Sequence, residues 1–172
     1  MHTNIEFKAR VASFAAMEAK LQRLNPRFVG EDHQIDTYFN IAKGRLKLRE
    51  GNIENALIQY DRQNTADVKQ SDILLYTHAP DANLKAILSK TLGVKVVVDK
   101  VRKIYFIENV KFHFDTIETL GTFVEVEAID SNGSISIEKL QEQCAYYAAF
   151  LGIQKSDYVA VSYSDLLVKI KN

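Results

Sequence analysis

The sequence predicts an α+β domain built around a mainly antiparallel sheet or barrel of about eight strands, with helices packed on it. Three observations lead to this fold class. Apolar and polar residues alternate with a period of two along much of the chain. Short turns separate most of these alternating segments. Segments with helical periodicity and recognisable start or stop residues lie between them. The 172 residues fit a single domain over 1–172 with its own core.

The first half of the chain consists mainly of predicted strands. Residues 4–11 place polar side chains at even positions and apolar side chains at odd positions. A helix is expected over residues 12–24, with Ser13 as its cap and Asn25-Pro26 at its end. Four further strands are expected over residues 32–40, 45–49, 55–62 and 70–78.

The second half begins with a helix over residues 81–92 that Gly93 ends. Three strands are then expected over residues 95–107, 109–118 and 122–129. Ser136 is placed to cap a helix that runs to about Leu151, with Gly152 after it. Residues 162–170 are expected to form the last helix.

The composition excludes several classes of protein. Lys and Arg together number 22, as do Asp and Glu, so the formal net charge is zero and a nucleic-acid partner is not expected. One cysteine, Cys144, permits neither an internal disulfide nor a multi-cysteine zinc site. The first residues do not have the pattern of an export signal, and no apolar stretch reaches the length that spans a bilayer. We therefore expect a cytoplasmic protein without a membrane partner.

Charges of one sign cluster on one face of several predicted strands. The basic sets are Arg45, Lys47 and Arg49 on one strand and Lys100 and Arg102 on another, and the acidic set is Glu125 and Glu127. A solvated face of an ordinary sheet is the simpler explanation. The alternative is a closed sheet whose apolar faces lie outside, under the helices, and whose charged faces point inward around a ligand.

An inward charged face indicates a particular chemistry. Guanidinium and ammonium groups that converge suit a polyphosphate. Paired glutamates suit a hard divalent cation such as Mg²⁺ or Mn²⁺. Together they indicate metal-assisted phosphoryl or nucleotidyl transfer.

Asn4 to Lys8 is close to an E-x-E-x-K pattern, with Asn4 in place of the first glutamate. Further blocks of charged and aromatic residues follow: Gln34–Phe39, Gly44–Glu50, Ala56–Arg62, Val98–Tyr105, Asp115–Glu127 and Ser162–Leu167. In this order the motifs resemble those of the CYTH family, which includes class IV adenylate cyclases and thiamine triphosphatases among the triphosphate tunnel metalloenzymes.

The resemblance implies an eight-stranded antiparallel tunnel that binds a triphosphate. The implied triphosphate ligands are Lys8, Arg10, Arg45, Lys47, Arg49, Arg62, Lys100 and Arg102. The implied ligands of Mg²⁺ or Mn²⁺ are Glu6, Glu125 and Glu127. The implied catalytic residues are Lys8, Lys100 and Asp115.

Three functions stay open at this point. The first is a class IV adenylate cyclase that converts ATP to cyclic AMP and pyrophosphate. The second is a triphosphatase acting on tripolyphosphate, thiamine triphosphate or a nucleoside triphosphate. The third is a non-catalytic polyphosphate- or nucleotide-binding module, which the amide at Asn4 favours.

A homodimer is compatible with the family. His113 shares strand parity with Lys111 and Asp115, although an ordinary strand histidine is the simpler interpretation.

Overall fold

Eight strands close into one antiparallel barrel in the computed structural model, which describes residues 2–62 and 67–171. The order around the barrel is β1-β5-β4-β3-β2-β6-β7-β8, and β8 pairs back with β1. The strands are β1 (His2–Val11), β2 (Arg27–Phe39), β3 (Arg45–Gly51), β4 (Ala56–Arg62), β5 (Lys69–Thr77), β6 (Val94–Ile107), β7 (Val110–Ile117) and β8 (Gly121–Asp130). The predicted fold class is therefore confirmed.

The start of β2 differs from the prediction, which placed it at residue 32. The strand begins at Arg27, immediately after the Asn25-Pro26 break, because it pairs with the long β6 from Arg27 opposite Phe106 onward. A register shift between Phe28 and Gly30 interrupts this early part. Such a bulge masks the alternation on which the sequence prediction depended.

The described residues contain four α-helices, and their ends follow local capping chemistry. They are α1 (Ala15–Gln22), α2 (Ala82–Leu92), α3 (Ile137–Leu151) and α4 (Tyr163–Lys171). Ser136 caps α3 by accepting a hydrogen bond from the Lys139 amide, and Gly152 ends it in the left-handed conformation. The predicted cap of α1 is wrong. Phe14 occupies the N-cap position without a side-chain bond, while Ser13 accepts one bond from the Ala15 amide.

The apolar faces of β1, β7 and β8 point outward and are covered by helices. Phe7 and Phe112 are buried in a cluster to which α3 contributes Leu140 and Cys144 and α1 contributes Leu21. Burying this layer outside the barrel leaves the opposite, charged face of each strand pointing inward. The predicted inward orientation of the charges follows from this packing.

The barrel interior is charged in its middle and apolar at one end. There, Val96, Val98 and Phe123 pack against Tyr163 and Leu167 of α4. Helix α4 therefore packs against inward-facing residues at one end of the barrel. From the sequence, all helices are expected on the outside of the sheet, so this position differs from the prediction. Within the described ranges, no helix is both long and apolar enough to cross a bilayer.

Candidate functional site

A cavity of about 450 Å³ lies inside the barrel. One side is charged, with side chains from β1, β2, β3, β6, β7 and β8. The opposite side, from β4 and β5, is mostly apolar. Most of the predicted ligands line this cavity: Glu6, Lys8, Lys47, Arg49, Lys100, Arg102, Glu125 and Glu127. The alternation of each strand brings them together, because residues two apart share a face.

A buried carboxylate organises the first group of cations. Asp36 on β2 accepts from Lys47 Nζ at 3.0 Å and from Lys100 Nζ at 2.7 Å. Arg49 binds it in a bidentate manner, with Nε at 2.8 Å and Nη2 at 2.9 Å. One negative charge therefore holds three positive charges, and the cluster keeps a positive excess that suits a polyanion. We call Asp36, Lys47, Arg49 and Lys100 the basic cluster.

The electrostatics of the basic cluster follow from burial and pairing. Burial alone would raise the pKa of Asp36, but Arg49, Lys100 and Lys47 outweigh it and hold this pKa well below its usual value. Burial lowers the pKa of Lys100 well below its usual value, and the neighbouring Arg49 and Arg102 lower it further.

The Arg102 guanidinium lies next to the basic cluster and is held by Asp115, a carboxylate that does not line the cavity. Arg102 donates to both carboxylate oxygens of Asp115 at 2.6 Å each and to Glu125 at 3.3 Å. Asp115 is fully buried, is absent from the cavity lining and also accepts from the Tyr163 hydroxyl at 2.7 Å. Its pKa falls to about 2, because Arg102 outweighs the effect of burial. Asp115 is thus placed to orient Arg102.

Acidic side chains meet on the neighbouring strands β1 and β8. Cross-strand pairing places Glu6 opposite Glu127 and Lys8 opposite Glu125. On the other side of β8, His113 lies opposite Glu125, with Nδ1 3.8 Å from the Glu125 carboxylate and 3.7 Å from that of Glu127. We call Glu6, His113, Glu125 and Glu127 the acidic corner.

The acidic corner fits a divalent cation. One ligand atom from each of His113, Glu125 and Glu127 lies within 4.8 Å of the others. His113 Nδ1 and Asn4 Oδ1 are buried without a hydrogen-bond partner among the described residues. Carboxylate oxygens with an imidazole or amide donor form a set that Mg²⁺ or Mn²⁺ accepts.

The acidic corner is only partly compensated by the protein. Burial alone would raise the pKa of Glu125, but Lys8, His113 and Arg102 outweigh it and hold this pKa well below its usual value. Burial raises the pKa of Glu127 to about 7, together with repulsion from Glu125 and Glu6. Burial and the nearby Arg102 and Lys111 lower the pKa of His113 to about 3, so its imidazole is neutral at neutral pH. A neutral imidazole can be a metal ligand.

Two predicted triphosphate ligands, Arg10 and Arg45, are described by the structure and do not line the cavity. Arg10 is exposed, lies over the Phe123 ring and donates to the Leu120 carbonyl oxygen. Arg45 pairs with Asp165 of α4 at 3.0 Å, at the end of the barrel. The backbone of Arg62 ends β4, but its side chain lies outside the described residues.

Several cavity residues had no assigned role in the sequence analysis. Asp36 was part of a recognised motif, and its parity with Tyr38 already placed it on the polar face of β2. Lys111 and His113 shared parity with Asp115, a signal that pointed to the same interior. Glu54 lies in the turn between β3 and β4, where no periodicity exists, and nothing in the sequence indicated that its carboxylate lines the cavity.

The opposite wall of the cavity is mostly apolar. Its apolar residues are Ala56, Ile58 and Tyr60 from β4 with Ile73 and Leu75 from β5, and Ser71 and Thr77 of β5 add two hydroxyl groups. A bare phosphate chain offers no apolar group to such a surface, whereas the ribose and base of a nucleotide do.

Known proteins are similar to this chain in sequence or in fold. A protein of Methanocaldococcus jannaschii named "Putative adenylate cyclase" is 25% identical over 171 residues, covering 94% of this chain and 97% of the relative. The structure of the PH1012 protein from Pyrococcus horikoshii has a TM-score of 0.79 at 26% identity and covers 95% of this chain and 98% of its own. A Hippeastrum protein described as having a dominant triphosphatase activity has a TM-score of 0.62 at 15% identity, covering 99% and 96%.

The sequence matches the CYTH domain over residues 2–163, nearly the whole chain. The charged interior, the acidic corner and the closed barrel lie within that range. The chain therefore belongs to the CYTH family of triphosphate-processing enzymes.

Proposed function

We propose that this protein is a metal-dependent adenylate cyclase that converts ATP to cyclic AMP and pyrophosphate. The observation that carries this proposal is the pairing of the basic cluster with the apolar wall of β4 and β5 in one cavity. The cluster suits the phosphate chain, and the wall suits the nucleoside. Tripolyphosphate would use only the first of these surfaces.

The basic residues would bind and orient the phosphate chain. Lys47, Arg49 and Lys100 converge on one point through Asp36, so a polyphosphate meets donors that are already in place. Lys8, whose Nζ is 3.6 Å from Glu125 of the acidic corner, lines the same cavity. Arg102 is held rigidly by Asp115, which acts here as a positioning residue.

Cyclisation requires the ribose 3′-oxygen to attack the α-phosphorus while the bond to the β-phosphate oxygen breaks. Glu6, Glu125 and Glu127 would hold Mg²⁺ or Mn²⁺, which when bound lowers the charge on the α-phosphate and acidifies the 3′-hydroxyl. The cationic side chains stabilise the charge that develops on the leaving pyrophosphate. Lys8 and Lys100 are the residues that we expect to contact it.

A triphosphatase is the second candidate, and a specific likeness favours it. The Hippeastrum protein with the same fold is described as having a dominant triphosphatase activity. The same cations would then present a terminal phosphoryl group to water. A non-catalytic module is the third candidate, supported by the amide of Asn4, which brings no negative charge to the cavity.

Phosphorus NMR of the purified protein with ATP and Mn²⁺, and then with tripolyphosphate, separates these candidates. We expect pyrophosphate and a cyclic phosphodiester signal from ATP. Orthophosphate release from either compound, without the cyclic product, would replace the cyclase by a triphosphatase. Altered triphosphate resonances without turnover would instead favour the binding module.

A further inference from the structure

A carboxylate of the protein occupies cations that line the cavity. Glu54, in the turn between β3 and β4, pairs with the Lys111 ammonium group. It also accepts from Arg49 Nη1 at 3.0 Å and from Gln34 Nε2 at 3.1 Å. Glu54, Arg49 and Lys111 all line the same cavity. The Glu54 carboxylate therefore contacts two cations that line the cavity and are open to an anionic ligand only when Glu54 leaves them.

The turn that carries Glu54 is held firmly in this position. Asp32, which is fully buried, accepts from the backbone amides of Ile53 at 2.9 Å and of Glu54 at 3.0 Å. The Asn55 side chain closes the turn by accepting from the Gly51 amide at 3.1 Å and donating to the Gly51 carbonyl oxygen at 2.9 Å. Four bonds thus fix the backbone, so the position of the carboxylate is a built feature of the fold.

The Glu54–Lys111 pair connects separate parts of the barrel wall. β2 and β6 lie between β3, which leads into the turn, and β7, which carries Lys111. Lys111 lies opposite Glu127 in the sheet and two residues from His113, so it borders the acidic corner. Arg49 on the other side belongs to the basic cluster. Glu54 therefore bridges a cation of the basic cluster and a cation beside the candidate metal site.

A phosphate ligand can take the place of the Glu54 carboxylate in its bonds to Lys111 and Arg49. A phosphate oxygen makes the same charge-assisted bonds to ammonium and guanidinium groups as a carboxylate oxygen does. The Glu54 side chain is 26% exposed, whereas that of Asp36 is 2% exposed. When displaced, Glu54 can regain water, but Asp36 cannot. Glu54 is thus the anion of the cavity that is easier to replace.

We propose that Lys111 is a further ligand of the substrate's phosphate chain and that Glu54 is a specificity residue that competes with phosphate for Lys111 and Arg49. This inference rests on the triphosphate binding in the proposed function, but it does not depend on the reaction. A short phosphate that reaches few cations is outcompeted by Glu54. A polyphosphate gains enough other contacts in the basic cluster to replace it.

The test is the dissociation constant of tripolyphosphate and of orthophosphate, measured by calorimetry at fixed ionic strength for wild type, Lys111→Met and Glu54→Gln. Loss of Lys111 removes an attractive contact and should weaken tripolyphosphate binding about tenfold. Loss of the Glu54 charge removes the competitor. It should tighten binding of both probes, with the larger relative gain for orthophosphate.

The matched control is an ion pair on the outside of the barrel. Lys85 of α2 pairs with Glu50 of β3 at 2.6 Å. Lys85→Met and Glu50→Gln remove the same charges without touching the cavity, and should leave both dissociation constants unchanged within about twofold, because exposed pairs act weakly at a distance. Thermal unfolding of each variant confirms that it is folded.

Opposite signs for the two variants support the inference, since a purely structural ion pair would give effects of the same sign. Weaker binding in both variants, or unchanged binding in both, overturns it. If Lys111→Met does not fold, Glu54→Gln alone decides. Competition predicts the larger relative gain for orthophosphate, whereas loss of a negative charge by itself would favour the more highly charged tripolyphosphate, and that result overturns the inference. Failure of wild type to bind tripolyphosphate at all would instead contradict the proposed function.

Discussion

The basic cluster and the acidic corner lie on one cavity wall, yet they differ in how far the protein alone satisfies them. In the basic cluster, three cations share the Asp36 carboxylate through well-formed bonds. In the acidic corner, Glu6, Glu125 and Glu127 repel one another, and burial and this repulsion raise the pKa of Glu127 to about 7. The cations of the basic cluster are preorganised. In the acidic corner Glu125 is paired with Lys8 and Arg102, whereas Glu127 would gain from a bound cation.

This difference explains how a barrel can hold so many charges in its interior. An unpaired buried ion costs several kcal/mol. The cations avoid this cost through Asp36 and Asp115. The acidic corner avoids part of it by protonation of Glu127, which a bound metal would replace.

Removal of Asp36 should have the largest effect. Asp36→Asn leaves Lys47, Arg49 and Lys100 without their shared anion, and we expect a loss of about 3–5 kcal/mol in the free energy of unfolding. Chemical denaturation measures this loss, and added tripolyphosphate should recover part of it.

Asp99→Asn is the matched control for Asp36→Asn. Asp99 pairs with the exposed His33, and its own side chain is 65% exposed, so a change below about 1 kcal/mol is expected. Equal losses in the two variants would contradict the role given to Asp36.

The free energy of unfolding should depend on pH because the pKa of Glu127 in the acidic corner is raised. The pKa of Glu127 is about 7 in the folded protein and 4.5 ordinarily, so the folded state binds more protons in this window. Its contribution to metal-free stability therefore falls as pH rises from about 4.5 to 7. His113, whose pKa is lowered to about 3 from 6.5, contributes in the opposite sense between these two values.

The comparison that isolates Glu127 is the difference in unfolding free energy between wild type and Glu127→Gln across this range. That difference should decline with rising pH without metal and should lose its slope when Mn²⁺ is saturating. If this difference in unfolding free energy did not change with pH in the absence of metal, the raised pKa of Glu127 would be contradicted.

The smallest effects are expected for the cations outside the cavity lining. Arg10→Ala and Arg45→Ala should each change tripolyphosphate affinity by less than about threefold, because these side chains bind Leu120 and Asp165 instead. Calorimetry against wild type measures this. A tenfold loss in either variant would place that arginine on the substrate path after all.

The sequence predicted the barrel and most of its charged wall because strand alternation determines which side chains share a face. Lys100 and Arg102 on β6, and Glu125 and Glu127 on β8, could be assigned to the interior in this way. Alternation gives a face but not a depth along the strand. The resemblance implied Arg45 as a ligand and alternation places it on the same face as Lys47, but it lies at the α4 end and pairs with Asp165.

Pairing across the barrel could not be predicted from the sequence. That Asp36 would bind three cations depends on the closure of the sheet and on the register between β2, β3 and β6. Glu54 depends on a turn whose shape is set by Asp32, a residue 22 positions earlier. Such contacts are long-range and leave no periodic signal.

The most direct test of the account measures binding of Mn²⁺ alone and of metal-free tripolyphosphate to Lys100→Met and Glu127→Gln. We expect a crossed result. Lys100→Met should lose tripolyphosphate affinity by about tenfold or more and keep Mn²⁺ binding, while Glu127→Gln should lose Mn²⁺ binding and keep tripolyphosphate affinity. If either variant lost both ligands together while remaining folded, the basic cluster and the acidic corner would not be the separate, complementary sites described.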